Sequence, residues 1–176
     1  MDVIDALKRR HMCRHFDPTP VEREKLKRLI YAATRAPSGG NQLVREIILV
    51  DEPQSVELLR SVVPSFLANS PAAFVICTDL ERAAETMGRQ GRDILSLLDA
   101  GAAAENIALE AVELGLGVSF VRSSTESAVR EALGIPSRYR VDIIVGIGYM
   151  AKERPPPLKG QKPIIHHNRF GETWIG

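Results

Sequence analysis

Two clusters of basic residues are the first candidates for chemistry in this chain. Arg9, Arg10 and Arg14 follow the N-terminal segment, and Lys159 and Lys162 lie near the C-terminus. Arginine and lysine side chains both bind phosphate, and the arginine guanidinium can do so with two parallel N–H donors. If the C-terminal segment folds back, the two clusters could hold one phosphate group between them. A solvated face at a helix end is the alternative for the first cluster, and on the bare sequence it is favoured.

A glycine-containing segment offers polar groups of another kind. Ser38-Gly39-Gly40-Asn41 supplies a hydroxyl group, unobstructed backbone N–H groups and a carboxamide, all of which can contact a polar ligand. The alternative is a simple turn that ends the preceding helix. The residue types alone leave both interpretations open.

Several common catalytic and nucleotide-binding motifs are absent from the sequence. Gly115-Leu116-Gly117 opens like a dinucleotide fingerprint, but the third glycine is missing and a helix precedes it instead of a strand. The sequence has no P-loop, no nucleophile elbow and no Ser-His-Asp or Cys-His arrangement. His11 and His15 have the i,i+4 spacing of zinc ligands, but nothing completes a set of three or four. We therefore predict no bound metal and no catalytic nucleophile.

Composition limits the class of protein to which the chain can belong. Of its 176 residues, 44% are hydrophobic and 26% charged, as in a globular protein of about one domain. The formal net charge of +1 and the aromatic share of 5% argue against a nucleic-acid partner. The chain has two cysteines without a CxxC pair, no signal-peptide core and no membrane-length apolar run. These features predict a cytoplasmic protein without membrane contact.

The apolar pattern predicts helices and strands around the candidate residues. Helices are expected over 2–10, from the Thr19-Pro20-Val21-Glu22 capping box to Ala36-Pro37, over 54–62, over 93–114 and over 126–133. Strands are expected over 47–50, 72–77, 118–121 and 141–149. Residues 1–150 would form one domain, and the proline-rich residues 151–176 an extended arm of that domain.

The longest predicted helix, over 93–114, carries the strongest pattern. Its apolar and small residues hold a 3.6-residue period, and Gly115 is placed to end it. Gly101, Ala104, Ala108 and Ala111 form a stripe of small side chains that allows another backbone to approach closely. That backbone could belong to the same domain or to a second copy of the chain in a homodimer. Close packing requires small residues in either case, so the sequence leaves both interpretations open.

The order of these segments resembles that of the FMN-dependent nitroreductase family. Residues 10–16, Arg-His-Met-Cys-Arg-His-Phe, resemble the RRSxRxF opening of the family, and residues 36–41, Ala-Pro-Ser-Gly-Gly-Asn, resemble its APSxxN segment. Further similarity lies in the central helix and at the close of the chain, at residues 88–92, 99–109, 113–117, 146–149, 162–163 and 168–171. The resemblance covers nearly the whole chain and keeps its order.

The resemblance implies a three-layer α+β fold, with an antiparallel mixed sheet flanked by helices and two chains intertwined as a homodimer. Two FMN molecules would lie at the subunit interface. NAD(P)H would reduce them, and small nitro, quinone or related acceptors would be reduced in turn in a ping-pong cycle. No side chain would be a catalytic nucleophile, because the flavin carries the chemistry. Two alternatives stay open: a flavin-binding sensor or storage protein with little turnover, and an oxidoreductase with a different flavin, such as a deazaflavin.

The resemblance also implies which residues bind the cofactor. The N-terminal loop would contact the FMN phosphate and the pyrimidine edge, and the 37–41 segment would reach the FMN from the partner chain. The residues after the third strand would lie beside flavin N5, and the tail would bind phosphate. In that order, these residues are Arg10, His11, Met12 and Arg14; Pro37, Ser38, Gly39 and Asn41; Arg122 and Ser123; and Lys159, Gln161 and Lys162.

The sequence departs from the family pattern at four places. Met12 replaces the usual serine and loses its hydroxyl contact. Gln42-Leu43-Val44-Arg45 follows Asn41 where the family often has xQPW. Arg122 stands where a glycine is common, and Gln161 stands where an arginine usually grips the phosphate.

Overall fold

The computed structural model describes residues 1–63, 67, 69–122, 124–151 and 164–172. In chain order, the elements are α1 (Val3–Arg9), α2 (Arg23–Thr34), β1 (Arg45–Val50), α3 (Pro53–Val62), β2 (Ala72–Asp79), α4 (Leu80–Gln90), α5 (Ser96–Glu113), β3 (Gly117–Val121), α6 (Glu126–Leu133) and β4 (Tyr139–Gly148). A 3-10 turn (Gly39–Asn41) precedes β1, and a π-helical turn (Gly91–Leu95) leads into α5. Among the described helices, none combines the length and the apolar character that a membrane crossing requires.

The four strands form one antiparallel sheet with the order β1-β2-β4-β3. The strands predicted from the sequence are confirmed, with ends that differ by one or two residues. The prediction of a mixed sheet is wrong. In the described part of the chain, parallel pairing is confined to an isolated bridge between Met12 and Val118. β2 is buried at all 8 positions. Its sequence lacks polar–apolar alternation because both of its faces are covered.

Helices pack against both faces of the sheet and create two hydrophobic cores. On one face the sheet packs against α2 and α5, where Phe74, Leu29 and Ile107 are fully buried. On the other face it packs against α3 and α6, where Leu59 and Val129 are fully buried. Successive residues of a strand point to opposite faces, so β2 contributes to both cores. This arrangement confirms the predicted α+β fold of three layers.

Helix α5 lies at the centre of the first core, and its small residues face two environments. Ala104, Ala108 and Ala111 are buried in the core that the helix shares with the sheet and α2. Gly101 is exposed, with open space where a side chain would begin. The three alanines therefore serve close packing within the domain. Gly101 lies instead on the outer face of the helix.

The predicted capping box at Thr19 is wrong. The hydroxyl and the backbone N–H of Thr19 both donate to the Asp17 carboxylate, which forms an Asx turn ahead of the helix. α2 begins at Arg23, and its N-cap residue Glu22 makes no side-chain capping hydrogen bond. The Glu22 carboxylate accepts instead from the Tyr149 hydroxyl, at 2.6 and 2.7 Å. The contact with Tyr149 therefore occupies the Glu22 carboxylate, which the capping-box pattern predicted to cap the helix.

The long helix ends as predicted, although it begins differently. Gly115 adopts the left-handed conformation, with φ of +73°. The N–H groups of Gly115 and Leu116 donate to the carbonyl oxygens of Val112 and Ala111, at 3.1 and 2.8 Å. These are the hydrogen bonds that close a helix at a glycine. At the other end, residues 91–95 form the π-helical turn, and the α-helix begins at Ser96 instead of residue 93.

Candidate functional site

The N-terminal loop is fixed along the outer edge of β3. α1 ends at Arg9, so Arg10 and the residues after it lie outside the helix. The N–H of Cys13 donates to the carbonyl oxygen of Val118 at 2.7 Å, and Met12 forms its parallel bridge to the same residue. Backbone hydrogen bonding to the sheet therefore sets the position of this loop.

Arg10 forms an ion pair with α5. Its Nε atom lies 3.1 Å from the Glu105 carboxylate, and the two side chains are 31% and 40% exposed. A guanidinium group has five N–H donors, so this contact leaves others available to a ligand. Arg14, four residues further along, is exposed.

The two N-terminal histidines do not share a helical face, because α1 ends before both of them. The His11 ring contacts the carbonyl oxygen of Arg9 through Nδ1 at 2.9 Å. A carbonyl only accepts, so Nδ1 carries the proton. No group of three or more His, Cys, Asp or Glu side chains within the described ranges is arranged to hold a metal ion.

A cavity lies between the N-terminal loop, the end of α5 and the start of β3. Its volume is about 260 Å³, whereas small-molecule pockets typically measure about 300–1,000 Å³. The residues that line it are Arg9, His11, Val112, Gly115, Leu116, Gly117, Val118 and Met150. As lined by the described residues of one chain, this cavity is therefore smaller than a typical small-molecule pocket.

The second predicted segment, Ser38 to Asn41, is a tight turn. Gly40 and Asn41 both have left-handed backbone conformations, with φ of +55° and +56°. The N–H groups of Asn41 and Gln42 donate to the carbonyl oxygens of Ser38 and Gly39, both at 3.0 Å. Asparagine is one of the few residues besides glycine that visits this conformation readily. The turn thus depends on the identity of Asn41 as well as on its glycines.

A buried carboxylate on α5 holds this turn. The N–H of Gly39 donates to both carboxylate oxygens of Asp99, at 2.9 and 3.1 Å, and Asp99 is 8% exposed. Arg45 donates to the backbone carbonyl of Asp99 at 2.9 Å. Burial lowers the pKa of Arg45, and the nearby charge of Asp99 opposes that shift. The prediction of unobstructed N–H groups in the turn is therefore wrong for Gly39 and Asn41.

Both predicted segments attach to α5, but on different sides of it. Glu105 contacts Arg10 and Asp99 contacts Gly39. Six residues of helix separate the two carboxylates by about 9 Å along the axis and roughly 120° around it. Among the described residues of one chain, no hydrogen bond or ion pair joins the N-terminal loop to the Ser38–Asn41 turn. The two predicted segments are therefore separate within one described chain, and they are called half-sites because the prediction joins them across a dimer.

A buried ion pair lies within β4, and its arginine also contacts the start of α5. The Nε atom of Arg140 lies 2.5 Å from the Asp142 carboxylate, and the side chains are 15% and 1% exposed. Thr78 donates to the other oxygen of this carboxylate, and Arg140 also donates to the Ser96 hydroxyl at 2.8 Å. Burial raises the pKa of Asp142, and the contacts from Thr78 and Arg140 counteract the rise. Through its contact with Ser96, Arg140 thereby links this ion pair to the first residue of α5.

The sequence matches the nitroreductase family model over residues 7–149. The chain belongs to the nitroreductase family. An NADPH-dependent oxidoreductase from Staphylococcus aureus (strain MRSA252) is 26% identical over 185 residues, which cover 96% of this chain and 74% of the relative. A relative from Archaeoglobus fulgidus with the provisional name NADH dehydrogenase/NAD(P)H nitroreductase is 31% identical over 154 residues, covering 82% of this chain and 83% of the relative.

Solved structures agree with the family assignment. An FMN-dependent nitroreductase from Clostridium difficile R20291 has a TM-score of 0.79 and 31% identity, over 95% of this chain and 99% of that chain. A nitroreductase family protein from Clostridium difficile 630 has a TM-score of 0.82 and 26% identity, over 93% and 94% of the two chains. The chain is therefore an oxidoreductase of the nitroreductase type.

The predicted cofactor-binding residues of this nitroreductase lie at three places in the described structure, and four further ones lie outside it. One group lies on the N-terminal loop along β3, where Met12 is half-buried, and a second lies on the turn held by Asp99. Arg122 is exposed directly after β3. The others lie outside the described residues: Ser123, Lys159, Gln161 and Lys162.

Two residues that shape these nitroreductase half-sites, Asp99 and Glu105, were not predicted from the sequence to do so. The sequence did contain a signal for Asp99. This residue lies four positions before Ala103, so the helical period places it on the buried face of α5. A carboxylate on such a face requires a hydrogen-bond partner. The pattern did not indicate which partner, since the Gly39 amide lies 60 residues away.

The two thiols offer no nucleophile to this enzyme. Cys77 is 2% exposed, and burial raises its pKa to about 12, with the charges of Asp142 and Glu46 adding to the rise. Burial also raises the pKa of Cys13, and a hydrogen bond to His15 opposes that rise. Only a thiolate is reactive, and at neutral pH both groups are protonated.

Proposed function

We propose that this nitroreductase is an FMN-dependent NAD(P)H oxidoreductase that reduces small nitro, quinone or related acceptors. The observation that carries the proposal is the family match over residues 7–149 together with the two half-sites on α5. A similar solved structure is named an FMN-dependent nitroreductase, and relatives are named for NADPH or NAD(P)H.

The groups on the two half-sites suit a flavin mononucleotide. Arg10 and Arg14 offer cations for a phosphate dianion or for negative charge at the pyrimidine edge. The Ser38 hydroxyl and the Asn41 carboxamide can meet the polar edge of the ring system. When bound, the flavin supplies hydride transfer between donor and acceptor. The chain's own residues bind it, orient it and neutralise its charge.

We further propose that each site is completed in a homodimer, with the N-terminal loop of one chain facing the Ser38–Asn41 turn of the other. Large apolar side chains are exposed near both half-sites, on α1 and at the start of the long helix. They are Val3, Ile4, Leu7, Ile94, Leu97 and Leu98, with exposures of 65%, 53%, 49%, 54%, 39% and 64%. Exposed apolar surface of this extent is typical of an interface. Gly101, on the outer face of α5, allows a second backbone to approach.

Leu98→Arg tests the homodimer. If Leu98 is buried between two chains, a charge there should dissociate the dimer and remove bound flavin, because an unpaired buried charge is costly. The secondary structure should stay unchanged, since Leu98 is 64% exposed within one chain. Sedimentation velocity and circular dichroism measure the two effects.

Leu58→Arg is the matched control for this experiment, because Leu58 is a 48% exposed leucine on α3, across the sheet from α5. It should leave the dimer intact. A Leu98→Arg protein that remains dimeric, or a wild-type monomer that binds FMN stoichiometrically, would contradict the proposed assembly.

The function itself is tested on the full chain. The purified protein should show flavin absorption, or acquire it on addition of FMN, and denaturation should release FMN on chromatography. It should then oxidise NADH or NADPH continuously when a quinone or a nitroaromatic compound is present. A protein that takes up no flavin overturns the proposal. A flavoprotein without turnover identifies the sensor or storage alternative instead.

A further inference from the structure

The turn at Ser38 to Asn41 needs support from outside itself. Two successive residues, Gly40 and Asn41, have positive φ. The Asn41 and Gln42 backbone amides each donate within the turn at 3.0 Å, and the Gln42 side chain donates to the Gly40 carbonyl oxygen at 3.3 Å. Backbone of this kind persists where the surrounding structure determines it. The residues that determine it therefore control where the polar groups of the turn point.

Packing fixes the turn from one side. A Cβ atom built on Gly39 would lie 3.1 Å from the Leu95 Cβ atom and 3.2 Å from the Met87 Sδ atom. The backbone at Gly39 thus rests directly on α4 and on the π-helical turn. This contact sets the depth of the turn but not the direction of its N–H groups, because van der Waals packing has no donor–acceptor direction.

The Asp99 carboxylate sets that direction. Both of its oxygens accept from the Gly39 N–H, and the residue is nearly buried. A hydrogen bond from an amide to a carboxylate is roughly twice as strong as one between neutral groups. A buried carboxylate also costs desolvation energy, so a neutral residue would suit α5 better if packing were its sole role.

One consequence concerns the next amide along the chain. With the Gly39 N–H turned inward, Gly40 is exposed, and its N–H has no hydrogen bond to any other residue in the described part of the chain. Gly40 therefore presents a free donor beside the Asn41 side chain. The family resemblance implies ligand contacts for Ser38, Gly39 and Asn41 but none for Gly40.

We infer that Asp99 is a positioning residue for the flavin: it draws the Gly39 N–H inward and thereby presents the Gly40 N–H and the Asn41 carboxamide to the cofactor. This inference rests on the proposed function, since it concerns the same site. Asp99 touches no ligand and acts through the turn.

Asp99→Ala and Asp99→Asn together test the inference. Asp99→Ala removes both acceptors and should weaken FMN binding by about tenfold or more, as expected for the loss of a hydrogen bond to a charged group. Asp99→Asn keeps one acceptor oxygen and should stay within about threefold of wild type. FMN titrations on the folded full chain measure the affinities, and urea unfolding measures stability separately. Equal losses for both variants, or wild-type affinity in Asp99→Ala, would overturn the inference.

Ser96→Ala is the control on the same helix, because Ser96 contacts Arg92 and Arg140 but not the turn. It should bind FMN like the wild type. If Asp99→Ala does not fold, Asp99→Glu decides: it keeps the charge but displaces the carboxylate, so it should bind FMN more weakly than Asp99→Asn. Wild-type affinity in Asp99→Glu would overturn the inference. A wild-type chain that takes up no flavin overturns the proposed function as well, whereas normal uptake with unaltered variants overturns this inference alone.

Discussion

Arg10→Ala is expected to weaken FMN binding by about tenfold or more, since a hydrogen bond to a charged group contributes roughly 1.5–3 kcal/mol. The structure adds a second reason. Arg10 pairs with Glu105 at 3.1 Å, so its removal leaves an unpaired carboxylate at the place proposed for the anionic cofactor. Like charges at close range repel each other. Fluorescence titration with FMN and with riboflavin, which lacks the phosphate, measures the loss.

Two further variants sharpen this experiment. Arg9→Ala should change the affinity little, because Arg9 is exposed at the end of α1 and the family resemblance implies no cofactor contact for it. Arg10→Ala combined with Glu105→Gln should recover part of the loss, because the repelling charge is gone. If Arg9→Ala and Arg10→Ala have equal and small effects, the basic cluster is a solvated helix end.

Arg140→Met should lower the free energy of unfolding by about 3–5 kcal/mol, the usual cost of leaving one member of a buried ion pair without its partner. The carboxylate left behind, that of Asp142, is 1% exposed. Arg140→Met combined with Asp142→Asn should recover much of this loss, because no charge is then buried. Urea unfolding at neutral pH measures both changes. Full recovery is not expected, since the Ser96 contact of Arg140 is lost as well.

The pH dependence of Arg140→Met follows from the pKa of Asp142. Burial raises that pKa in the folded state and Arg140 lowers it, so the substitution raises it further. A group with a raised folded-state pKa is stabilising when protonated, and that contribution is lost as pH rises through the folded-state pKa. The penalty should therefore be largest at neutral pH and shrink on acidification.

Arg138→Met is the matched control for Arg140→Met. Arg138 pairs with Asp79 at 3.3 Å but is 50% exposed, and exposed ion pairs contribute little to stability. It should leave the unfolding curve nearly unchanged. A similar loss in both variants would show that burial of the ion pair does not account for the effect of Arg140→Met.

The sequence predicted the elements of this fold well wherever a local pattern decides them. β2 is an apolar run, and Gly115 stands where the left-handed end of α5 needs it. Long-range contacts decided the remainder. The Thr19 cap failed because Asp17 and Tyr149 bind the relevant groups, and an i,i+3 pattern contains no information about a hydroxyl group 127 residues away.

The positions of the two candidate segments were predictable from the sequence to a similar degree. The order of motifs pointed to Arg10 and to the Ser38–Asn41 turn, and the structure places both against α5. Residue types did not show which backbone amide of the turn donates a hydrogen bond within the protein. That depends on which amide the Asp99 carboxylate contacts. The tail residues Lys159, Gln161 and Lys162 lie outside the described residues, so their phosphate contact stays a prediction.

The loop along the outer edge of β3 also covers part of an edge strand on which a strand of another molecule could otherwise add. An unpaired edge strand displays N–H and C=O groups on which a strand from another molecule can add. β3 has that position in the sheet, and the backbone of Met12 and Cys13 covers part of its free side. The loop that carries Arg10, proposed to bind the cofactor, thus also shields this edge. Substitutions that loosen the loop should therefore raise the tendency of the chain to aggregate.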